Sequence, residues 1–308
     1  MKLRDWLILY FLGIAIAFAV AQFENAPGYM DAEYYYGGGV NLAQGKGFSE
    51  DLIWNYLDDP QGIPHPSHTY WMPLASMLSA IFPALTGKVN FYTSRLGFIF
   101  LAGLIPILTA RLAYDLSRKR LNAYLAGALA MLPGFYLPYY VTTDTFVPYI
   151  LFGGAFLLLV GRLAAQQTRS IFYVGMGLIA GGMHLSRVDG ILWLLMAILF
   201  TTGLSLYKND DPGKLRQWLL RLGLVLVGYL AIMGPWMIRN LTVTGSLLSK
   251  GGFQTLFLTN YDELYSYPPG KLTFSRWLST GIGKIALVRL EALWAELKTA
   301  LGVQTSIF

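Results

Sequence analysis

The chain contains no cysteine. Disulfide bonds and thiol nucleophiles are therefore excluded, while the redox compartment stays open. Charge is scarce as well, at 13% of 308 residues, against about 25% in soluble globular domains. The basic residues give a net charge of +6 but form no long stripe, which argues against nucleic acid as a partner. The run Gly37-Gly38-Gly39 lacks the preceding strand of a dinucleotide fold and carries no nucleotide-binding reading. No heptad array, internal repeat or separate soluble domain is visible. What the chain has in quantity is apolar: 55% hydrophobic residues and a mean hydropathy of +0.48. With these come 8 Trp and 20 Tyr, rings that favour the headgroup layer of a bilayer.

A soluble core cannot hide this much apolar surface, whereas lipid removes the need to hide it. A crossing helix requires about 20 apolar residues. Residues 7–23 meet that requirement, and Lys2 with Arg4 places their start in the cytoplasm. This segment resembles a signal peptide, but the later apolar runs and the lack of a small-residue cleavage site favour a retained span. Residues 24–69 are polar, aromatic and glycine-rich, as expected of an outer loop. Residues 73–85 are apolar but short and read as a re-entrant or interfacial helix. Residues 91–114 form a full span followed by Arg118-Lys119-Arg120, the strongest inside signal in the chain. Segments 123–140, 146–163, 171–186, 190–206 and 219–237 then alternate across the membrane, giving about seven spans and one partial helix. The loop 208–216, with Lys208, Lys214 and Arg216, is expected in the cytoplasm. The fold class expected is an all-α polytopic membrane protein, with residues 1–308 as one transmembrane domain. Residues 24–90 form its first outer loop and juxtamembrane region, and 241–308 an outer loop and amphipathic tail in which 284–302 lies on the membrane surface.

This threading gathers Asp31, Glu33, His65, His68, Asp144, Arg187, Asp189, Arg239 and Asn240 on the outer face. Ionisable groups beside hydrocarbon are costly and mark candidate sites, although each also has a structural reading. Asp31 and Glu33 are either solvated loop acids or a base or metal-binding pair at the membrane edge. His65-Pro66-Ser67-His68 fits metal ligation, contact with phosphate or sugar, or loop structure. Asp144, in Thr142-Thr143-Asp144-Thr145, is a good helix N-cap as well as a possible site acid. Arg187 and Asp189 can neutralise each other across a turn. Arg239 can snorkel at the interface, or either arginine can bind phosphate.

Several short motifs in order carry a resemblance. They are Asp31-Ala32-Glu33-Tyr34, Leu42-Ala43-Gln44-Gly45-Lys46-Gly47, His65-Pro66, Arg187-Val188-Asp189-Gly190, Pro235-Trp236-Met237-Ile238-Arg239-Asn240 and Thr244-Gly245. Together they resemble the GT-C type of membrane glycosyltransferase, related to protein O-mannosyltransferases and to the aminoarabinose transferases that modify lipid A. The resemblance runs from the first span to about residue 276. It departs from the family where Ser67 replaces a second proline after His65-Pro66. It also implies a longer chain, with several further spans, so a truncated or minimal variant is expected.

The resemblance implies a GT-C-like transmembrane bundle and transfer of a sugar from a polyprenyl-phosphate carrier, usually with inversion. The acceptor would be a protein, lipid or glycan on the outer face. The enzyme would be a hexosyl- or pentosyltransferase of the cytoplasmic (inner) membrane, with its site facing the periplasm or the cell exterior. Asp31 matches the first-loop catalytic base and Asp144 the second acid. Glu33, His65, His68, Arg187 and Arg239 are candidates for substrate binding, the arginines for the donor phosphate. A divalent metal ion is a candidate cofactor, with no ligand set assigned. The rival readings are a transporter or lipid flippase, which usually carries broken helices in repeated halves, and an inactive scaffold of the same build.

Overall fold

The computed structural model describes residues 1–165, 169–207 and 213–305. They are predominantly helical. Among the described residues, five helices are long and apolar enough to cross a membrane. They are α1 (Leu3–Ala21), α4 (Phe91–Ser117), α6 (Phe146–Ala164), the stretch Val188–Ser205 that contains most of α8 (Ile191–Tyr207), and α9 (Lys214–Thr244). The remaining helices of more than one turn are α2 (Met30–Ala43), α3 (Leu74–Thr86), α5 (Arg120–Ala130) and α7 (Ser170–Ser186), followed by α10 (Lys250–Gln254), α11 (Phe274–Ser279) and α12 (Ile282–Thr305). Many apolar side chains of the long helices face outward, among them Phe11 of α1, Leu195 and Leu199 of α8 and Val227 of α9. Such a surface suits lipid rather than water.

Two expectations change. The segment 123–140 is not one helix: α5 ends at Ala130, and the chain continues as short 3-10 turns at Gly134–Tyr136 and Pro138–Tyr140. Pro133 and Pro138 account for the break, since proline lacks the N–H that continues a helix. The segment 171–186 forms the apolar helix α7, of 17 residues, shorter than the five long ones. Five helices are thus long and apolar, α7 is a shorter apolar helix, and α5 with its 3-10 continuation stands where one continuous span is expected. The short helix expected at 73–85 is present as α3. The loop expected at 24–69 is partly helical, because α2 runs for 14 residues inside it. Most of the loop 208–216 lies outside the described residues.

Helix α9 has 31 residues, or ~46 Å at 1.5 Å per residue, well beyond the ~30 Å of hydrocarbon. Its length carries Arg239 and Asn240 up to the loop that holds Ser67. Helices α7 and α9 cross at very close range. A Cβ on Gly177 would overlap the Val225 carbonyl, and one on Gly228 would overlap the Val174 carbonyl. Small residues at such crossings let membrane helices approach backbone to backbone. Around this contact pack Met72, Ala180, Leu185, Tyr229, Met233 and Trp236. On the other side of the bundle, Ala17 and Ala21 of α1 pack against Ile99, Ala102 and Ile105 of α4. The Gly38-Gly39 pair has a packing role, for it presses α2 onto Ser76 and Ser79 of α3. A two-residue antiparallel ladder, β1 (Ser49–Glu50) with β2 (His65–Pro66), ties the first loop together.

Candidate functional site

Helix α2 divides its polar residues between two cavities. Asp31 and Tyr35, one helical turn apart, line a cavity of about 520 Å³. Glu33, Tyr36 and Gly37 line a different one of about 820 Å³, together with Lys46, Glu50 and Asp51. The first cavity also receives Asp144, His184, Arg187 and Asp189. Much of the rest of its lining is apolar or aromatic, including Trp71, Met72, Leu192, Leu248, Phe253 and Leu256.

Local hydrogen bonds explain this convergence. Thr142 donates to the Pro27 carbonyl at 3.2 Å and Thr143 to the Ala32 carbonyl at 2.8 Å, so the segment before α6 is pinned to the start of α2. Asp144 is thereby held buried beside Asp31. Its carboxylate accepts from the Tyr29 hydroxyl and from the Thr145 backbone N–H. The N-cap position of α6 is Thr145, not Asp144, so the capping reading is set aside. Burial raises the Asp31 pKa, the neighbouring Asp144 charge raises it further, and Arg187 opposes both, leaving it at about 6. Burial, followed by the charge on Asp144 and the hydrogen bond to it, likewise raises the Tyr29 phenol above its ordinary range.

Arg187 and Asp189 stand on the tight turn between α7 and α8. Gly190 permits this turn, because a Cβ there would run into the Met183 carbonyl. Arg187 Nε donates to Asp189 Oδ1 at 3.0 Å, and the guanidinium lies 5.7 Å from the Tyr149 ring centroid. The two side chains are 46% and 54% exposed, so neither is consumed by this pair. Burial works against the Arg187 charge, but the Asp189 carboxylate more than offsets it and holds the pKa above its ordinary value.

The remaining candidates lie elsewhere. His68 is fully buried, with Nδ1 2.7 Å from the Ser67 hydroxyl and Nε2 2.9 Å from the Ser76 hydroxyl. Burial, with the Arg239 charge behind it, depresses its pKa to about 3, so the ring is a neutral packing element. The substrate-contact expectation for His68 is therefore corrected: both ring nitrogens are occupied. Arg239 does not line the Asp31 cavity either. It donates to the Ser67 carbonyl at 2.7 Å and lies 4.7 Å from the Trp236 ring centroid, clamping α9 to the first loop. His65 is buried between carboxylates, with Nε2 3.2 Å from Asp58 and Nδ1 3.3 Å from Glu50. It lines a third cavity, of about 480 Å³, and not the one with Asp31. Glu33 is exposed and faces the second cavity.

Among the described residues, no group of three or more His, Asp or Glu side chains is placed to hold a metal ion. Tyr29 and Thr145 occupy the Asp144 oxygens, and Asp189 is engaged with Arg187. Sequence reasoning passed over His184, which the structure puts in the cavity. Its signal was available: a lone ionisable residue near the end of an apolar helix, three positions before Arg187. Compared with known proteins, this chain matches no family model, no curated protein and no solved structure.

Proposed function

We propose that this chain is a membrane glycosyltransferase that moves a sugar from a polyprenyl-phosphate carrier to a hydroxyl or amine acceptor, with Asp31 as the base. The observation that carries the reading is the convergence of Asp31, Asp144 and Arg187 on one partly apolar cavity at an end of an apolar helical bundle. An amphipathic donor needs that combination, with lipid-compatible walls for its chain and a cation for its phosphate.

The acceptor O–H or N–H gives its proton to the Asp31 carboxylate as the acceptor atom bonds to the anomeric carbon. The bond from that carbon to the phosphate oxygen breaks, and its electron pair leaves with the lipid phosphate. Arg187 offsets the charge growing there. Asp144 is held as a fixed neighbouring charge by Tyr29 and Thr145. Burial, with the repulsion of Asp144 added to it, makes Asp31 a stronger base than an ordinary carboxylate, which brings it nearer the operating pH. Attack from the face opposite the leaving phosphate inverts the anomeric centre. The motif resemblance supports the same donor class. A cytoplasmic (inner) membrane, with the cavity facing out, is part of the proposal and is supported by the basic residues at the other end of the bundle.

The test uses membranes that hold this chain and a panel of radiolabelled polyprenyl-phosphate sugars with cell extract as acceptor. The expected result is label on an acceptor with stoichiometric release of polyprenyl phosphate. Absence of transfer from every donor, with the protein present and folded, contradicts the reading.

A further inference from the structure

The third histidine of the chain closes α7 beside the Arg187 turn. His184 is buried, yet it is among the residues lining the Asp31 cavity. Its Nδ1 lies 2.6 Å from the Tyr229 hydroxyl of α9, and the two ring planes are 24° apart. Tyr229 is itself buried and is not part of the cavity wall. The close crossing at Gly177 and Gly228 brings these two helices near enough for that bond.

This bond sets the tautomer. The Tyr229 hydroxyl has no other partner among the described residues, and a buried O–H needs an acceptor. Its proton therefore points at His184 Nδ1, which must be unprotonated to accept it. The ring is then neutral and its one proton is on Nε2. Nε2 has no partner among the described residues. With Nδ1 taken by Tyr229, the ring nitrogen left for the cavity that His184 lines is Nε2. His184 can therefore offer a hydrogen bond into the cavity but cannot take a proton there, which leaves the base role to Asp31.

We propose that His184, fixed by Tyr229 as a neutral Nε2–H donor, binds an oxygen of the same lipid-linked phosphate that Arg187 holds. The identity of that phosphate rests on the transferase reading above. An N–H donor beside a guanidinium suits an anion, and Asp31, Asp144 and Asp189 already supply the acceptors of the cavity. As negative charge accumulates on the departing phosphate, this fixed donor bonds it more strongly. His184 is then a catalytic residue by contact, and Tyr229 a positioning residue that acts through it.

The chain has only three histidines, so ¹⁵N-histidine labelling of the full protein in detergent gives a readable spectrum. His184→Gln assigns the resonance, and His68, sealed from the cavity, is the internal control. The probe is farnesyl phosphate, with farnesol as the uncharged control and inorganic phosphate to separate a lipid phosphate from a free one. The expected spectrum shows His184 as the Nε2–H tautomer. Farnesyl phosphate moves that signal, farnesol leaves it in place, and inorganic phosphate moves it only at far higher concentration. His184→Ala should weaken farnesyl phosphate binding about tenfold, the scale of one hydrogen bond to a charged group. Tyr229→Phe should let the Nδ1–H tautomer appear and weaken binding by a smaller factor. An Nδ1–H tautomer in the wild type, binding that leaves the His184 signal unmoved, binding that responds to inorganic phosphate equally well, or no binding at all would each overturn the proposal. Binding as expected, without sugar transfer in the membrane assay, would uphold the phosphate site and sink the transferase reading.

Discussion

Asp31 and Glu33 are two residues apart and chemically alike, yet α2 turns them into different cavities. Asp31→Asn keeps size and most hydrogen bonding but removes the basic oxygen. Turnover should fall by roughly 10²–10⁴ with donor binding little changed, while Glu33→Gln stays near the wild-type rate; steady-state kinetics on both variants check this. The pH dependence has a definite sign. With a pKa of about 6 in the folded protein, Asp31 is a competent base only above that value, so the wild-type rate should rise with pH through about 6. Stability runs the other way. A pKa raised from 3.8 by folding means that the stability linked to this proton is present at low pH and lost as pH rises through about 6. Asp31→Asn should therefore melt at a higher temperature than the wild type at pH 7 and show no such advantage at pH 4. The two arginines separate just as clearly. Arg187→Ala should raise the donor KM and lower kcat/KM by roughly 10² with little loss of fold, since its pair with Asp189 is half exposed. Arg239→Ala should lower the melting temperature and leave the donor KM of the remaining folded protein unchanged. Sequence alone named Asp31, Asp144 and Arg187 as candidates, because charges beside apolar runs stand out. It could not separate Arg187 from Arg239 or find His184, because that depends on partners distant in the chain: Arg239 meets the Ser67 carbonyl 172 residues away and His184 the Tyr229 hydroxyl 45 residues away.

At the scale of elements, composition locates four of the long apolar helices to within a few residues, since their signal is additive along the chain, while α9, at Lys214–Thr244, runs well past the expected 219–237 at both ends. It fails at 123–140, where Pro133 and Pro138 break an apolar stretch that hydropathy alone reads as continuous. It also fails at α2, whose 14 residues are too aromatic and glycine-rich to show an amphipathic period, because two cavities and α3 take different faces of it. The crossing of α7 and α9 is the contact on which the His184–Tyr229 pair depends. Gly177→Ala must push the Val225 carbonyl away, at a cost of ~1–3 kcal/mol for overpacking. Gly223→Ala, in the same α9 but with open space around it, should be neutral or stabilise by roughly 0.5–1 kcal/mol through helix propensity. Yield and thermal denaturation in detergent should rank Gly223→Ala at or above the wild type and Gly177→Ala clearly below it. The reverse order would place the helix contact elsewhere.

For the whole molecule, the five long apolar helices and their outward apolar side chains make a membrane protein, and the polar residues of the Asp31 cavity collect at one end of the bundle. The absence of native cysteine makes orientation directly measurable. Single cysteines at Asp51 and Asp262 should react with an impermeant thiol reagent added to intact cells, and one at Arg118 should react only after the membrane is opened. Labelling of Arg118 alone in sealed cells would invert the orientation. The most direct test of the whole proposal combines sidedness with chemistry. Right-side-out and inverted vesicles, holding either wild-type chain or Asp31→Asn, receive radiolabelled polyprenyl-phosphate sugars and acceptor extract. The expected result is label transferred to acceptor by wild type in right-side-out vesicles, little transfer in inverted ones, and a loss of roughly 10²–10⁴ in rate for Asp31→Asn. Equal transfer by wild type and Asp31→Asn, or none by folded wild type in either orientation, would contradict the assignment of this cavity as a sugar-transfer site.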